Sequence, residues 1–185
     1  MLLMCITIAR RINKIFKIIL YEKRKDITMN NIIIRKAKKS DFKQIHNLIL
    51  QVHNIHVKER PDIYRDTDPL DMKMYEKELL DINNIYLVAE NKNNIVGFCF
   101  AEIRELSNNK IMKDRKIMHI KDICINILER RNGIGTLLYN ELVKLAQNKK
   151  VDSIELMVWG FNEDAINFYK KIGMNIKNLR FEKKL

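Results

Sequence analysis

The segment Arg130-Arg131-Asn132-Gly133-Ile134-Gly135-Thr136 constrains this chain more than any other. It follows an apolar run, Ile120 to Ile125, that reads as a strand, and it opens a stretch, Leu137 to Lys149, that reads as a helix. A strand, a tight glycine turn and a helix N-terminus in that order make a site for phosphate. Free N–H groups point out of the first helical turn, and the helix dipole favours negative charge there. Gly133 and Gly135 lack a Cβ, so the backbone can come close to a ligand. The chain is therefore expected to grip a pyrophosphate.

The length, 185 residues, suits one domain with a real core. The net charge is +12, and residues 1–28 concentrate part of it, with seven Lys/Arg against Glu22 and Asp26. The charge of the remainder suits an anionic ligand such as a nucleotide-bearing cofactor. It does not by itself argue for nucleic acid, since no zinc spacing or interleaved aromatic-basic strand motif is present. Cys5, Cys99 and Cys124 lie far apart, so a disulfide framework is not expected and a reducing, cytoplasmic setting is. No apolar run approaches the roughly 18 residues of a membrane span.

Residues 1–28 form a basic leader. Ile12, Ile15, Phe16, Ile19 and Leu20 recur at helical spacing between basic residues. Three readings stay open: an amphipathic helix on a membrane surface, a loosely attached leader, or a translation start at Met29. Residues 29–185 read as one domain without repeat, linker or low-complexity tract.

Within it, Ile32 to Ala37 reads as a strand, and Ser40-Asp41 offers an N-cap for a helix to about residue 57. Arg60-Pro61-Asp62 breaks that helix, and a second helical pattern runs from Leu70 to Asp81. Tyr86 to Glu90 and Ile95 to Arg104 are strands about an Asn91–Asn94 hairpin turn, with Gly97 as a bulge position. Lys116 to Ile125 leads into the glycine turn and the helix 134–149. Ser153 to Trp159 is a strand, Asn162 starts a last helix that Gly173 ends, and Met174 to Phe181 is a final strand. The expected fold is α/β, a mixed, mostly antiparallel six-strand sheet flanked by helices, in the order β-α-α-β-β-β-α-β-α-β.

This order and two motifs resemble the GNAT N-acetyltransferase superfamily, which is acetyl-CoA dependent. The first motif is Arg130-x-x-Gly133-x-Gly135, similar to the family's pyrophosphate loop. The second is Asn162-x-x-Ala165-x-x-Phe168-Tyr169-x-x-x-Gly173. The resemblance covers residues 31–183. It implies that Ile123, Cys124 and Ile125 receive the pantetheine arm through their backbone, in a splay between neighbouring strands. It implies that Arg130, Arg131, Asn132, Gly133, Ile134, Gly135 and Thr136 hold the pyrophosphate, that Asn162 contacts the cofactor, and that Tyr169 protonates the departing thiolate.

The implied reaction is direct attack of a primary amine on the acetyl carbonyl. It requires a base, an oxyanion donor and an acid for the thiolate. A strand N–H at Ile125 or its neighbour is the candidate oxyanion donor. His119 is the candidate base, on strand alternation that puts His119, Lys121, Ile123 and Ile125 on one side and Asp122 on the other. Asp122 or Glu102 acting through water, or no dedicated base, remain alternatives. Tyr169 and His119 are thus the catalytic candidates. His53, His56 and Glu59 are not expected to bind metal. The stretch His53 to Asp71 is expected to line the acceptor side, with Trp159 as a packed strand-end residue or a pocket wall.

The acceptor is a small-molecule or protein amine. The acidic residues Asp62, Asp66, Asp68, Asp71 and Glu76 keep a cationic amine open. No nucleic acid or membrane span is expected, and a homodimer is possible through a sheet edge. The competing class is a non-catalytic acyl-CoA-binding sensor.

Overall fold

The computed structural model describes residues 31–185. The readings of the basic leader and of Cys5 fall outside the described residues. The elements are β1 (Ile32–Lys36), α1 (Phe42–Glu59), α2 (Met72–Leu80), β2 (Asn84–Asn91) and β3 (Asn94–Leu106). They continue with β4 (Arg115–Ile125), α3 (Ile134–Asn148), β5 (Ser153–Leu156) and α4 (Glu163–Lys171).

The strands form one open sheet in the order β1-β2-β3-β4-β5. The first three pairings are antiparallel and β4·β5 is parallel. The β2–β3 hairpin closes on Lys92 (φ 48°) and Asn93 (φ 67°). Two successive left-handed residues give the turn whose twist matches the flanking strands.

The sheet carries a core on each face. Leu87, Cys99, Met118 and Ile120 pack on Ile134, Leu138, Leu142 and Ala146, the apolar stripe of α3. Val88, Phe98, Phe100 and Cys124 pack on Ile45 and Leu48 of α1 and Tyr75 of α2. Leu138 and Leu142 are fully buried, and each such side chain contributes about 1.5–3 kcal/mol of transfer free energy.

The sheet has five strands, not six, because Met174 to Phe181 forms none. Apolar residues fall at 174, 176, 179 and 181, so the alternation breaks at Asn178-Leu179 and no single face of a strand is apolar. Ile176, Leu179 and Phe181 are instead 64%, 69% and 89% exposed. Charge holds the tail in place: Lys177 meets Glu155 at 2.6 Å, Glu182 meets Arg60 at 2.8 Å and Lys184 meets Asp62 at 2.9 Å.

The strand expected over Ser153 to Trp159 stops at Leu156. β4 pairs with β5 only from Ile117↔Ser153 to Ile120↔Leu156. Beyond that point β4 continues to Ile125 while Met157–Trp159 leave the ladder. The result is a V-shaped opening with Ile123, Cys124 and Ile125 along one limb.

A bulge sits at the vertex of this V. Phe100 pairs with Asp122 and Ala101 with Ile120, which leaves Lys121 as an extra residue. The bulge changes the parity of the strand. Ile123 and Ile125 pack with Met118 and Ile120 on the α3 face. Lys121 reaches Glu78 of α2, on the opposite face, and Cys124 packs against α1 there. Strict alternation thus fails: His119 does not share a face with Ile123 and Ile125.

Candidate active site

The glycine turn is built as an anion cradle. Asn126 accepts from the Leu128 N–H and starts a short 3-10 turn, Ile127–Glu129. Arg131 (φ 65°) and Gly133 (φ 81°) are both left-handed. Such a reversal turns successive N–H groups toward one point. Gly133 is the N-cap of α3, and the first bond of the helix runs from the Leu137 N–H to its carbonyl at 3.1 Å. The N–H groups of Ile134, Gly135 and Thr136 precede that ladder and point outward at the positive end of a 15-residue helix. These groups fit a diphosphate. Arg130 donates from Nε to the Ile125 carbonyl at 3.3 Å, and Asn132 donates to Glu129.

The two glycines have different duties. A Cβ on Gly135 would lie 3.2 and 3.3 Å from the Phe168 ring. Gly135 therefore lets α4 pack against the start of α3, whereas Gly133 supplies the left-handed turn.

Over residues 123–125 the β4 side chains pack into the two cores, Cys124 buried and Ile123 and Ile125 partly buried. Cys124 is buried, its thiol pushed up to about 12 by desolvation and hydrogen-bonded to the Leu48 carbonyl at 3.4 Å. Cys99 and Cys124 are free thiols.

Asn162 caps α4, its carboxamide oxygen accepting from the Ala165 N–H at 3.2 Å. The cap occupies one end of the side chain. Seven residues on, Tyr169 is half-buried, and desolvation together with the nearby Cys99 and Asp122 raises its phenol above the ordinary value. It stays protonated at any working pH, which suits a proton donor.

Asp122 lies at the bulge. It keeps solvent access, yet protein crowds its carboxyl, and this desolvation outweighs Lys121 and pushes it up to about 6. His119 pairs across the ladder with Glu102. Desolvation first, then Arg104, lowers its imidazole below the ordinary value. Glu102 is itself bound by Arg104 and lies 3.9 Å from Lys121. The charges acting on His119 are Arg104, Glu102, Glu155 and Lys121, so it sits in an ion-paired cluster. Asp122 instead acts on Tyr169, Cys99 and Tyr86. The bulge puts Lys121 and Asp122 side by side at the vertex, and of the two Asp122 is the one that acts on Tyr169. A sequence signal for this existed: the apolar residues Met118, Ile120, Ile123 and Ile125 change parity at Lys121-Asp122.

α1 packs beside the end of β4. Its Leu48 touches Cys124, and its last turns reach the segment after β5. His56 stacks on Tyr64 (4.9 Å, 22°) and meets Phe161 edge-on at 6.0 Å. The Trp159 Nε1–H donates to the Tyr64 hydroxyl at 2.9 Å. His53 bonds the Arg65 carbonyl at 2.9 Å. The two histidines therefore belong to an aromatic wall.

Four of the five acidic residues that follow α1 are engaged with other groups. Asp62 pairs with Arg60 and Lys184, Asp68 with His46, and Glu76 with Lys39. Asp71 caps α2 through the Met74 N–H. Cation recognition by this run as a free acidic patch is thereby weakened.

Comparison with known proteins identifies the family. Residues 49–174 match the family model described as "Acetyltransferase (GNAT) family". The chain is 29% identical over 157 residues to the L-amino acid N-acetyltransferase AaaT of Escherichia coli (strain K12), covering 80% of this chain and 86% of the relative. It superposes on a crystal structure of a mutant BH1408 protein from Bacillus halodurans with a TM-score of 0.81. That pair is 30% identical and covers 83% of this chain and 99% of the other. An aminoglycoside N-acetyltransferase solved in complex with CoA shares the fold, with a TM-score of 0.66 at 17% identity over 83% of this chain and 94% of that one. The chain belongs to the GNAT family of acetyl-CoA-dependent acetyltransferases.

Proposed function

We propose that this protein transfers the acetyl group of acetyl-CoA to the primary amine of a small molecule by direct attack. The observation that carries the reading is the continuity of the site. Along β4 the chain leaves its β5 partner after Ile120, passes Asp122 and runs through Ile123–Ile125 to the left-handed turn that opens α3. The cradle amides of residues 130–136 hold the diphosphate, and the main chain of Ile123, Cys124 and Ile125 takes the pantetheine arm. A β4 N–H near the bulge stabilises the oxyanion. Asp122 accepts the amine proton, directly or through one water, and its carboxyl near 6 is poised for that work at neutral pH. His119 is the alternative base. Tyr169 donates its proton to the leaving thiolate. Asn162 sets the start of α4, and so the position of Tyr169, and contacts the cofactor.

An L-amino acid is the first acceptor to test, because the E. coli relative is named for that activity. The experiment is a thiol-release assay with acetyl-CoA and a panel of amines that includes the L-amino acids. The expected result is amine-dependent release of CoA and an N-acetylated product. Tight CoA binding without release for any amine would instead indicate a sensor domain.

A further inference from the structure

Three segments that are distant in sequence meet at one guanidinium. Arg60 follows α1 directly and has a side chain only 16% exposed. Its Nε and Nη2 groups donate to the two oxygens of Asp62 at 2.9 and 3.0 Å, a fork that fixes the orientation of the group. Nη2 also donates to Glu182 of the C-terminal tail at 2.8 Å. Its Cζ lies 5.0 Å from the centre of the Trp159 ring. Trp159 in turn donates to Tyr64, four residues beyond Arg60, and lies beside Phe161 at 5.9 Å. A second ion pair, Lys184 with Asp62, repeats the link between tail and loop.

We infer that Arg60 is a positioning residue for amine selection: it joins the 60–68 loop, the Trp159 wall and the C-terminal tail into one rim over the acceptor end of the cleft. This rests on the acetyltransferase reading above, which makes the mouth beyond Tyr169 the acceptor's. Trp159 and Phe161 stand on the limb of the V that faces β4, so the rim borders the cofactor's reacting end without forming its cradle. The tail contributes through charge. Its apolar side chains are exposed, and the sheet gains no strand from it, so its attachment depends on these ion pairs. Arg60 touches neither substrate nor the reacting atoms. Its effect passes through Trp159 and Tyr64.

The test is steady-state kinetics on the full-length protein with Arg60→Met, Arg60→Lys and Glu182→Gln, using an amine that the wild type acetylates. Arg60→Met is expected to raise the acceptor KM roughly 10-fold, leaving the KM for acetyl-CoA and the acid limb of the pH profile in place. Arg60→Lys should recover only part of this, because an ammonium cannot hold Asp62 and Glu182 through a planar fork. Glu182→Gln should raise the acceptor KM about 2-fold, the scale of one partly exposed pair. Trp159 is the only tryptophan. Its fluorescence should become more accessible to acrylamide in Arg60→Met at an unchanged far-ultraviolet spectrum. An acceptor KM unchanged in both Arg60→Met and Glu182→Gln overturns the inference while leaving the enzyme reading intact. Equal rises in both KM values also overturn it, since they mark a general structural role. If Arg60→Met does not fold, Glu182→Gln decides alone. A wild type that releases no thiol with any amine removes the enzyme reading itself, and this inference with it.

Discussion

The two ends of the cleft are made of different material. In the proposed reading the recognising groups at the cofactor end are main-chain amides, set by two left-handed residues and the first turn of α3. At the acceptor end they are side chains gathered from α1, the loop after it, the β5–α4 connection and the tail. The first kind of site is contained in seven consecutive residues and should tolerate changes of side chain. The second is spread over more than a hundred residues and changes with any of them. A common donor met by variable acceptors calls for that division: the grip on the nucleotide can stay constant while the mouth is redesigned.

This contrast predicts where substitutions hurt. The largest effect belongs at the vertex, where the proposed chemistry takes place. Asp122→Asn should lower kcat about 10³-fold, within the range of general acid–base catalysis. In the wild type kcat/KM should fall as pH drops below about 6, because the raised carboxyl then takes up its proton and stops acting as a base. That limb should vanish in Asp122→Asn and persist in His119→Ala. A limb that vanishes only in His119→Ala would move the base to His119. Next comes Tyr169→Phe, for which kcat should drop about 10²-fold with the KM for acetyl-CoA little changed. Full turnover in that variant at neutral and alkaline pH would remove the phenol from the mechanism.

Smaller effects sharpen the difference in material. Gly133→Val forces a β-branched residue to φ 81°, at a cost of about 1–2 kcal/mol or more, and should weaken CoA binding roughly 10-fold in a calorimetric titration. Asn132→Ala lies one residue away but removes only a side chain bonded to Glu129, and the CoA affinity should change less than about 3-fold. Equal losses in the two variants would show that the cradle works through side chains after all.

The same contrast explains what the sequence disclosed. The cradle was legible because its parts are contiguous: an apolar strand, two glycines and a helical stripe of Leu138, Leu142 and Ala146. The second motif was legible for the same reason, with Asn162 and Gly173 bounding α4. The bulge at Lys121 is readable in principle from the parity change between Ile120 and Ile123, and regular alternation overlooks it, placing His119 and Lys121 on the face of Ile123 and Ile125. The final strand failed because four apolar residues near the C-terminus suggested one, although their spacing never produced an apolar face. The Arg60 meeting point left no local trace beyond Asp62, since its other partners lie at Trp159 and Glu182 and only folding brings them together.

The central claim is that main-chain amides at the start of α3 grip the diphosphate of CoA. Isothermal titration of the full-length protein with CoA, and separately with pantetheine, which lacks that diphosphate, tests it directly. The account predicts that CoA binds at least about 100-fold more tightly than pantetheine, as several charge-assisted N–H contacts require. Equal affinity for the two, or no binding of CoA by the folded protein, would contradict it.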